Sequence, residues 1–196
     1  MRAVVLVEGV SDRAALEALA ERRGRNLEAE GVSIVPMGGA QAIGRFLERF
    51  GPQGLDLRLA GLCDAAEERD FRRALERAGL GSNLTRAEME HLGFFVCVSD
   101  LEDELVRSAG VAAVEQVIAA EGELSWFRTF QKQPAKRELS YEEQLWAFMW
   151  NRKLRYGTLL VQTMPLDRIP RPLDAVLAHV RPDAWSARTS SMRRQE

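Results

Sequence analysis

Four short, largely apolar runs constrain the fold of this chain more than any other feature of its sequence. They read RAVVLV (2–7), VSIVPM (32–37), LRLAGLC (57–63) and FFVCVSD (94–100). Such runs are typical of strands that are covered on both faces. Between them, apolar residues recur at helical spacing, as in Ala15, Leu16 and Leu19. The alternation predicts an α/β fold in which helices flank a four-stranded, mainly parallel sheet.

The second half of the chain has a helical pattern throughout. Predicted helices cover residues 100–109, 111–121, 123–132, 141–151, 152–163 and 172–180. Residues 183–196 show no periodicity and are predicted to form a flexible tail. We therefore expect an α/β domain over residues 1–135 and a helical C-terminal extension over residues 136–182 that packs on it.

The composition is that of a soluble globular protein, with 46% hydrophobic and 29% charged residues. No run of about 18 apolar residues is present, so no membrane span is expected. The N-terminus lacks the features of a signal or transit sequence, which predicts a cytoplasmic location. Cys63 and Cys97 each lie within an apolar run. This setting predicts two buried thiols rather than a disulfide.

The net charge of −2 conceals an asymmetry along the chain. Acidic residues outnumber basic ones in residues 1–122, and the balance reverses in residues 123–196. Such a chain could hold cations at one place and a polyanion at another, although ordinary variation in surface charge gives the same counts. The candidates for contact with nucleic-acid phosphates are Lys136, Arg152, Lys153 and Arg155.

Acidic residues end three of the predicted strands, at Glu8, Asp64 and Asp100. The carboxyl ends of parallel strands meet at one edge of a sheet, so these side chains are expected to converge. Asp12 and Glu102 follow closely in the sequence. Each acid alone could cap a helix or face its dipole. Converging carboxylates repel one another unless a cation compensates them, which favours a Mg²⁺ or Mn²⁺ site.

Two further features are compatible with a phosphate-processing site. Gly38 and Gly39 follow the second predicted strand, where they permit either a tight turn or the approach of a ligand to the backbone. Lys132 follows the acidic segment by about thirty residues. A lysine is a compact charge that can stabilise a phosphoryl transition state, although a solvated helix residue is the simpler interpretation.

In their order along the chain, these motifs resemble a known family. An acid and a glycine end the first strand in VEGVSD, an acid ends the third strand, and DLEDEL follows the fourth. The set is similar to the TOPRIM domain of topoisomerases, primases and nucleases. Its finer pattern resembles the OLD (overcoming lysogenization defect) branch over about residues 3–135, and the family name suggests a role in phage defence.

The resemblance implies a role for each matching residue. Glu8, Asp12 and Asp64 would hold one divalent cation, and Asp100 and Glu102 would hold a second. Glu8 and Lys132 would be the catalytic residues, with Lys132 stabilising the transition state. The implied reaction is metal-dependent nicking or cutting of DNA by hydrolysis of a phosphodiester bond.

The sequence departs from the family pattern in two respects. Ala66 stands where the second acid of an Asp-x-Asp motif is expected, and Glu67 and Glu68 are the candidates to replace that acid. No segment resembles the ATPase of OLD proteins, so the domain either acts alone or works with a separately encoded ATPase. A non-catalytic module that binds nucleic acid or a partner protein, and an RNA-processing nuclease, stay as alternatives. The oligomeric state is open, a homodimer included.

Overall fold

The computed structural model describes residues 1–182, so the predicted tail lies outside the described residues. A four-stranded sheet forms its centre, in the order β2-β1-β3-β4, and every neighbouring pair is parallel. The strands are β1 (Ala3–Val7), β2 (Val32–Pro36), β3 (Arg58–Cys63) and β4 (Phe94–Val96). The prediction of an α/β fold with a parallel sheet is confirmed.

The strand order creates a switch point beside β1. Val5 of β1 pairs with Ile34 of β2 on one side and with Ala60 of β3 on the other. β2 therefore lies on one side of β1, and the next strand in the sequence, β3, lies on the other side. In open parallel sheets, the crevice outside the carboxyl ends of the strands at such a point is the usual binding site.

Helices follow the strands and fill the rest of the described chain. They are α1 (Val10–Arg22), α2 (Leu27–Glu30), α3 (Ile43–Phe50), α4 (Glu68–Arg77), α5 (Arg86–His91), α6 (Leu101–Ala109), α7 (Val111–Ala120), α8 (Leu124–Gln131), α9 (Tyr141–Met149), α10 (Lys153–Thr163) and α11 (Arg171–His179). The six helices predicted after residue 100 are present, with ends that differ by at most two residues. Among the described residues, no helix is both long and apolar enough to cross a membrane.

Two local predictions need correction. The fourth strand ends at Val96 and not at Asp100, which instead caps α6 by accepting a hydrogen bond from the Asp103 amide. The helix predicted to begin near Ala66 starts with a 3₁₀ turn, Ala65–Glu67, before α4. β4 is short because its partner β3 ends at Cys63, and the Val98 N–H donates to Oε1 of Glu104 instead of to a strand.

Each face of the sheet is covered by its own apolar core. Val5 and Val7 contribute to the core beneath α1, α6, α10 and α11, and Val4 and Leu6 to the core beneath α3 and α4. In the first core, α10 packs on α1, and α11 packs on β3 and β4. The helices of the predicted extension thus share a core with the sheet, while a domain boundary at residue 135 stays a prediction.

The two cysteines are buried free thiols on adjacent strand ends. Cys63 belongs to the core beneath α3 and α4, and Cys97 to the core on the opposite face. Burial raises the pKa of both thiols, so they are poor nucleophiles at neutral pH. Their interpretation as structural residues rather than a disulfide agrees with this placement.

Gly61 in β3 makes room for the aromatic ring of Phe94 on β4. A Cβ atom at residue 61 would lie 2.6 Å from Cδ1 of Phe94 and 3.2 Å from the carbonyl oxygen of Leu6. Phe94 in turn packs edge to face on Phe71 of α4, with ring centroids 6.4 Å apart. The absence of a side chain at residue 61 therefore lets β1, β3 and β4 pack closely together.

We expect Gly61→Ala to lower the free energy of unfolding by about 1–3 kcal/mol, because the added methyl group overpacks the core against Phe94. Gly44→Ala on α3 is the matched control, since a Cβ atom there meets nothing within 4 Å. It should stabilise the protein slightly, by up to about 1 kcal/mol, through helix propensity. Urea unfolding of the two variants measures both effects. Equal stabilities would contradict the packing role of Gly61.

Candidate metal centre

The edge of the sheet beside the switch point carries three close carboxylates. Glu8 follows β1, Asp64 follows β3, and Glu67 lies one turn further along the 3₁₀ segment. One oxygen atom from each lies within 4.8 Å of the other two, and all three side chains are half-buried. Oxygen ligands at this spacing are the donor set that a hard divalent cation takes. The residues present therefore fit a Mg²⁺ or Mn²⁺ ion.

Backbone hydrogen bonds fix the residues around Glu8. Gly9 is the N-cap residue of α1, and its N–H donates to Oδ2 of Asp12 at 2.8 Å, which holds Asp12 toward the strand end. The carbonyl oxygen of Glu8 accepts from the N–H groups of Gly38 and Gly39, at 3.1 and 3.2 Å. These two glycines have φ angles of 75° and 119°, which side chains disfavour.

The Gly38–Gly39 pair thus forms a tight turn that braces the end of β1. This role explains why glycine is needed at both positions. Both N–H groups are already engaged with Glu8. Contact of this turn with nucleic acid stays a prediction.

Glu67 and Glu68 have different surroundings. Glu67 joins Glu8 and Asp64, whereas Glu68 forms ion pairs with Arg72 at 3.4 Å and with Arg86. These partners lower the pKa of Glu68. Ala66, which stands where the family pattern has its second acid, is exposed. Of the two candidates to replace the missing acid, the structure brings only Glu67 to the carboxylates of the strand ends.

The acids at the start of α6 separate into two pairs. Asp100 and Glu102 are buried, with 8% and 3% of their surface exposed. The indole N–H of Trp146 donates to both carboxylate oxygens of Asp100, at 3.1 Å each. The neighbouring acids are occupied elsewhere, since Asp103 and Glu104 pair with Arg107 at 2.8 and 3.0 Å.

Electrostatic interactions link the acids on both sides of the crevice. Burial, together with the smaller effect of the negative charges on Asp12, Glu8, Asp100 and Glu102, raises the pKa of Asp64 to about 8. Burial likewise raises the pKa of Glu102 to about 7. All five residues predicted as metal ligands therefore interact in the folded protein. We define the acidic cluster as these five residues together with Glu67: Glu8, Asp12, Asp64, Glu67, Asp100 and Glu102.

The lysine whose charge acts on this cluster is Lys153. Its ammonium group lowers the pKa of both Asp12 and Glu102, against the larger opposing effect of burial. Lys153 is half-buried at the start of α10, the helix that packs on α1. Lys132 is exposed at the C-terminal end of α8. Spacing in the sequence favoured Lys132 as the catalytic lysine. No local sequence pattern points to Lys153, because its position depends on the packing of α10.

The other predicted nucleic-acid contacts have protein partners. Arg155 pairs with Glu121 and Glu123, and Arg152 lies 3.4 Å from Glu123. The Arg152 guanidinium also lies 4.7 Å from the centre of the Phe148 ring. The Lys136 ammonium lies 5.3 Å from the centre of the Phe130 ring. These contacts give the three residues structural roles. Binding of phosphates by Lys136, Arg152 and Arg155 stays a prediction, as does the role of Lys153 in such binding.

A parallel sheet with carboxylates at the ends of β1 and β3 is the arrangement that the resemblance to TOPRIM domains implies. Residues 1–65 match the family model described as the TOPRIM domain of overcoming lysogenization defect protein-like proteins. The chain thus has the TOPRIM fold and resembles the TOPRIM region of OLD proteins, as its motifs predict.

Solved structures extend this resemblance over nearly the whole chain. The C-terminal region of the Xanthomonas campestris pv. campestris OLD protein is 25% identical, with a TM-score of 0.73, and the match covers 96% of this chain and 98% of that one. For the C-terminal region of the Burkholderia pseudomallei OLD protein, the identity is 23%, the TM-score 0.72 and the coverage 93% and 98%. No curated protein sequence matches the chain.

The acidic cluster predicts an unusual pH dependence of stability for the metal-free protein. The folded-state pKa of Asp64 is raised from 3.8 to about 8, so the folded protein binds more protons than the unfolded chain between these values. Its free energy of unfolding should therefore fall as the pH rises from about 4 to 8. Asp64→Asn should flatten this fall and stabilise the protein at pH 8.

Thermal melts in EDTA from pH 4 to 9 measure the effect. Glu48→Gln, at an exposed residue of α3, is the control that should retain the dependence of the unaltered protein. A free energy of unfolding that rises between pH 5 and 8 would contradict the pKa assigned to Asp64.

Proposed function

We propose that the chain is a metal-dependent endonuclease that nicks DNA by hydrolysing phosphodiester bonds. The observation that supports this function most directly is the convergence of Glu8, Asp64 and Glu67 at the sheet edge. Burial and the neighbouring negative charges raise the pKa of Asp64 and Glu67, which destabilises the ionised fold, and a bound cation would remove this cost. The similarity to OLD TOPRIM regions supports a nucleic-acid substrate for the site.

In this proposal, the acids hold two cations. Glu8, Asp12 and Asp64 hold one, with Glu67 in place of the acid that Ala66 lacks, and Asp100 and Glu102 hold the other. Bound divalent ions supply Lewis acidity and an activated water for phosphodiester hydrolysis. The protein restrains Asp12 beforehand, through the hydrogen bond that the Gly9 N–H donates to its carboxylate.

Lys153 is the better candidate for stabilising the transition state. A lysine ammonium group is a compact charge that neutralises negative charge developing on a phosphate oxygen. Lys153 interacts with Asp12 and Glu102, so it lies near acids proposed to bind both cations. Lys132, the residue that sequence spacing indicates, is exposed on α8 and serves as its matched comparison.

Two alternatives use the same fold. A non-catalytic module that binds nucleic acid or a partner protein is favoured by the loss of the acid at Ala66, whereas the position of Glu67 beside Glu8 and Asp64 favours the nuclease. An RNA-processing nuclease would use the same acidic cluster on another substrate. Metal-dependent cleavage separates the first alternative from the proposal, and a labelled RNA duplex, offered beside DNA, separates the second.

Supercoiled plasmid incubated with the purified chain and Mg²⁺ or Mn²⁺ should convert to open circles, and EDTA should abolish the conversion. Glu8→Gln should lower the rate at least about 100-fold, because it removes a direct ligand. Glu68→Gln is the control, since Glu68 pairs with Arg72 and Arg86 on the same part of the chain. Equal cleavage by the Glu8 and Glu68 variants would exclude the acidic cluster as the active site.

Lys153→Met should lower the cleavage rate by about 10²–10³-fold, while the affinity for DNA changes little. Lys132→Met should leave both quantities nearly unchanged. The rates come from single-turnover cleavage and the affinities from anisotropy in Ca²⁺. The opposite pattern, with loss only in the Lys132 variant, would restore the assignment made from sequence spacing.

A further inference from the structure

The segment 146–153 reaches the acidic cluster from outside the sheet. Trp146 lies in α9, Trp150 follows in a 3₁₀ turn, and Lys153 begins α10. None of the strand-end acids is near this segment in the sequence. Its contact with the cluster is therefore a tertiary one, and its two tryptophans have no part in the function proposed above.

Trp146 makes an unusually complete contact with Asp100. Its Nε1 atom lies 3.1 Å from both Oδ1 and Oδ2 of Asp100, and Oδ1 also accepts from the Asp103 N–H at 2.7 Å. A carboxylate offers about four lone-pair positions. Three donor contacts from two rigid groups fix the plane of this carboxylate and leave part of Oδ2 available.

The chemistry of the indole suits this position. An indole N–H is a donor only, carries no charge and cannot ligate a cation. It can therefore orient a buried carboxylate without competing for the metal or adding a positive charge that would repel it. A lysine or arginine in the same position would hold Asp100 equally well but would oppose the binding of a cation.

Neighbouring side chains hold the Trp146 ring in turn. The ring of Trp150 packs against it, with centroids 4.8 Å apart, and the Lys153 ammonium lies 5.0 Å from the centre of the Trp150 ring. The contacts thus run from Asp100 through both tryptophans to Lys153, whose charge acts on Glu102. Asp100, the two tryptophans and Lys153 thus form one continuous set of contacts.

We propose that Trp146 is a positioning residue that presents the Asp100 carboxylate to a divalent cation shared with Glu102. This inference rests on the proposed function, since it assumes that Asp100 and Glu102 bind a cation. Trp146→Phe removes the N–H and retains an aromatic ring. Loss of a hydrogen-bonding partner behind a metal ligand typically weakens metal binding by about 10- to 100-fold.

Calorimetric titration of the full chain with Mn²⁺ tests the proposal without relying on activity. The unaltered protein should bind two ions, and Trp146→Phe should bind one of them at least about tenfold more weakly. Trp126→Phe is the matched control, since Trp126 is 63% exposed and contacts Arg152. It should bind both ions as the unaltered protein does.

The outcomes distinguish this inference from the proposed function. If the unaltered protein binds Mn²⁺ and Trp146→Phe binds both ions equally well, Trp146 only packs and the inference is wrong. If the unaltered protein binds no Mn²⁺, the proposed function fails and the inference fails with it. In Asp100→Asn, the further substitution of Trp146 should cause no additional loss of affinity, because the two residues act through one ligand.

A second measurement covers the case in which Trp146→Phe does not fold. In the unaltered chain labelled with ¹⁵N-tryptophan, one indole N–H resonance should shift when Mg²⁺ is added and should also move in Asp100→Asn. The resonance of exposed Trp126 should stay in place. An indole resonance that responds to Asp100→Asn but not to saturating Mg²⁺ would overturn the proposal.

Discussion

The parallel pairing of β1 with β3 is the constraint on which the rest of the structure depends. Leu6 lies opposite Gly61 in this pairing, so Glu8 and Asp64 follow at the same edge of the sheet. Gly61 permits the close packing of Phe94, and the Gly38–Gly39 turn braces the carbonyl of Glu8. A change in this register by one residue would turn one of the two acids toward an apolar core.

This pairing also brings carboxylates close together, and their mutual repulsion lowers the stability of the folded protein. Carboxylates from β1, β3 and α6 meet in partly buried surroundings, and the pKa of Asp64 rises to about 8 as a result. The fold accepts the cost because its two apolar cores hold the strands in place from both faces. Electrostatic repulsion of this kind at the edge of a sheet is commonly offset by ligand binding. A divalent cation is the ligand whose charge meets this need most directly.

The helices after residue 100 contribute to the site as well as to the core. The charge of Lys153, at the start of α10, acts on Asp12 and Glu102. The indole N–H of Trp146, on α9, donates a hydrogen bond to Asp100. The extension therefore supplies a positively charged side chain and a hydrogen-bond donor to acids that lie in the first 102 residues. Removal of these helices would expose the core beneath α1 and also leave the acidic cluster without its counter-charge.

The sequence predicted the four strands apart from the end of β4, most helix ends and the acids at the strand ends, because these follow from local periodicity and from the rule that parallel strands share an edge. It also indicated that Glu67 or Glu68 would replace the acid missing at Ala66. Only the tertiary structure chose between them, because Arg72 and Arg86 engage Glu68 and leave Glu67 beside Glu8. Tertiary structure likewise brought the charge of Lys153 close enough to act on Asp12 and Glu102. That position depends on the packing of α10 against α1, a contact between segments more than a hundred residues apart that no local pattern encodes.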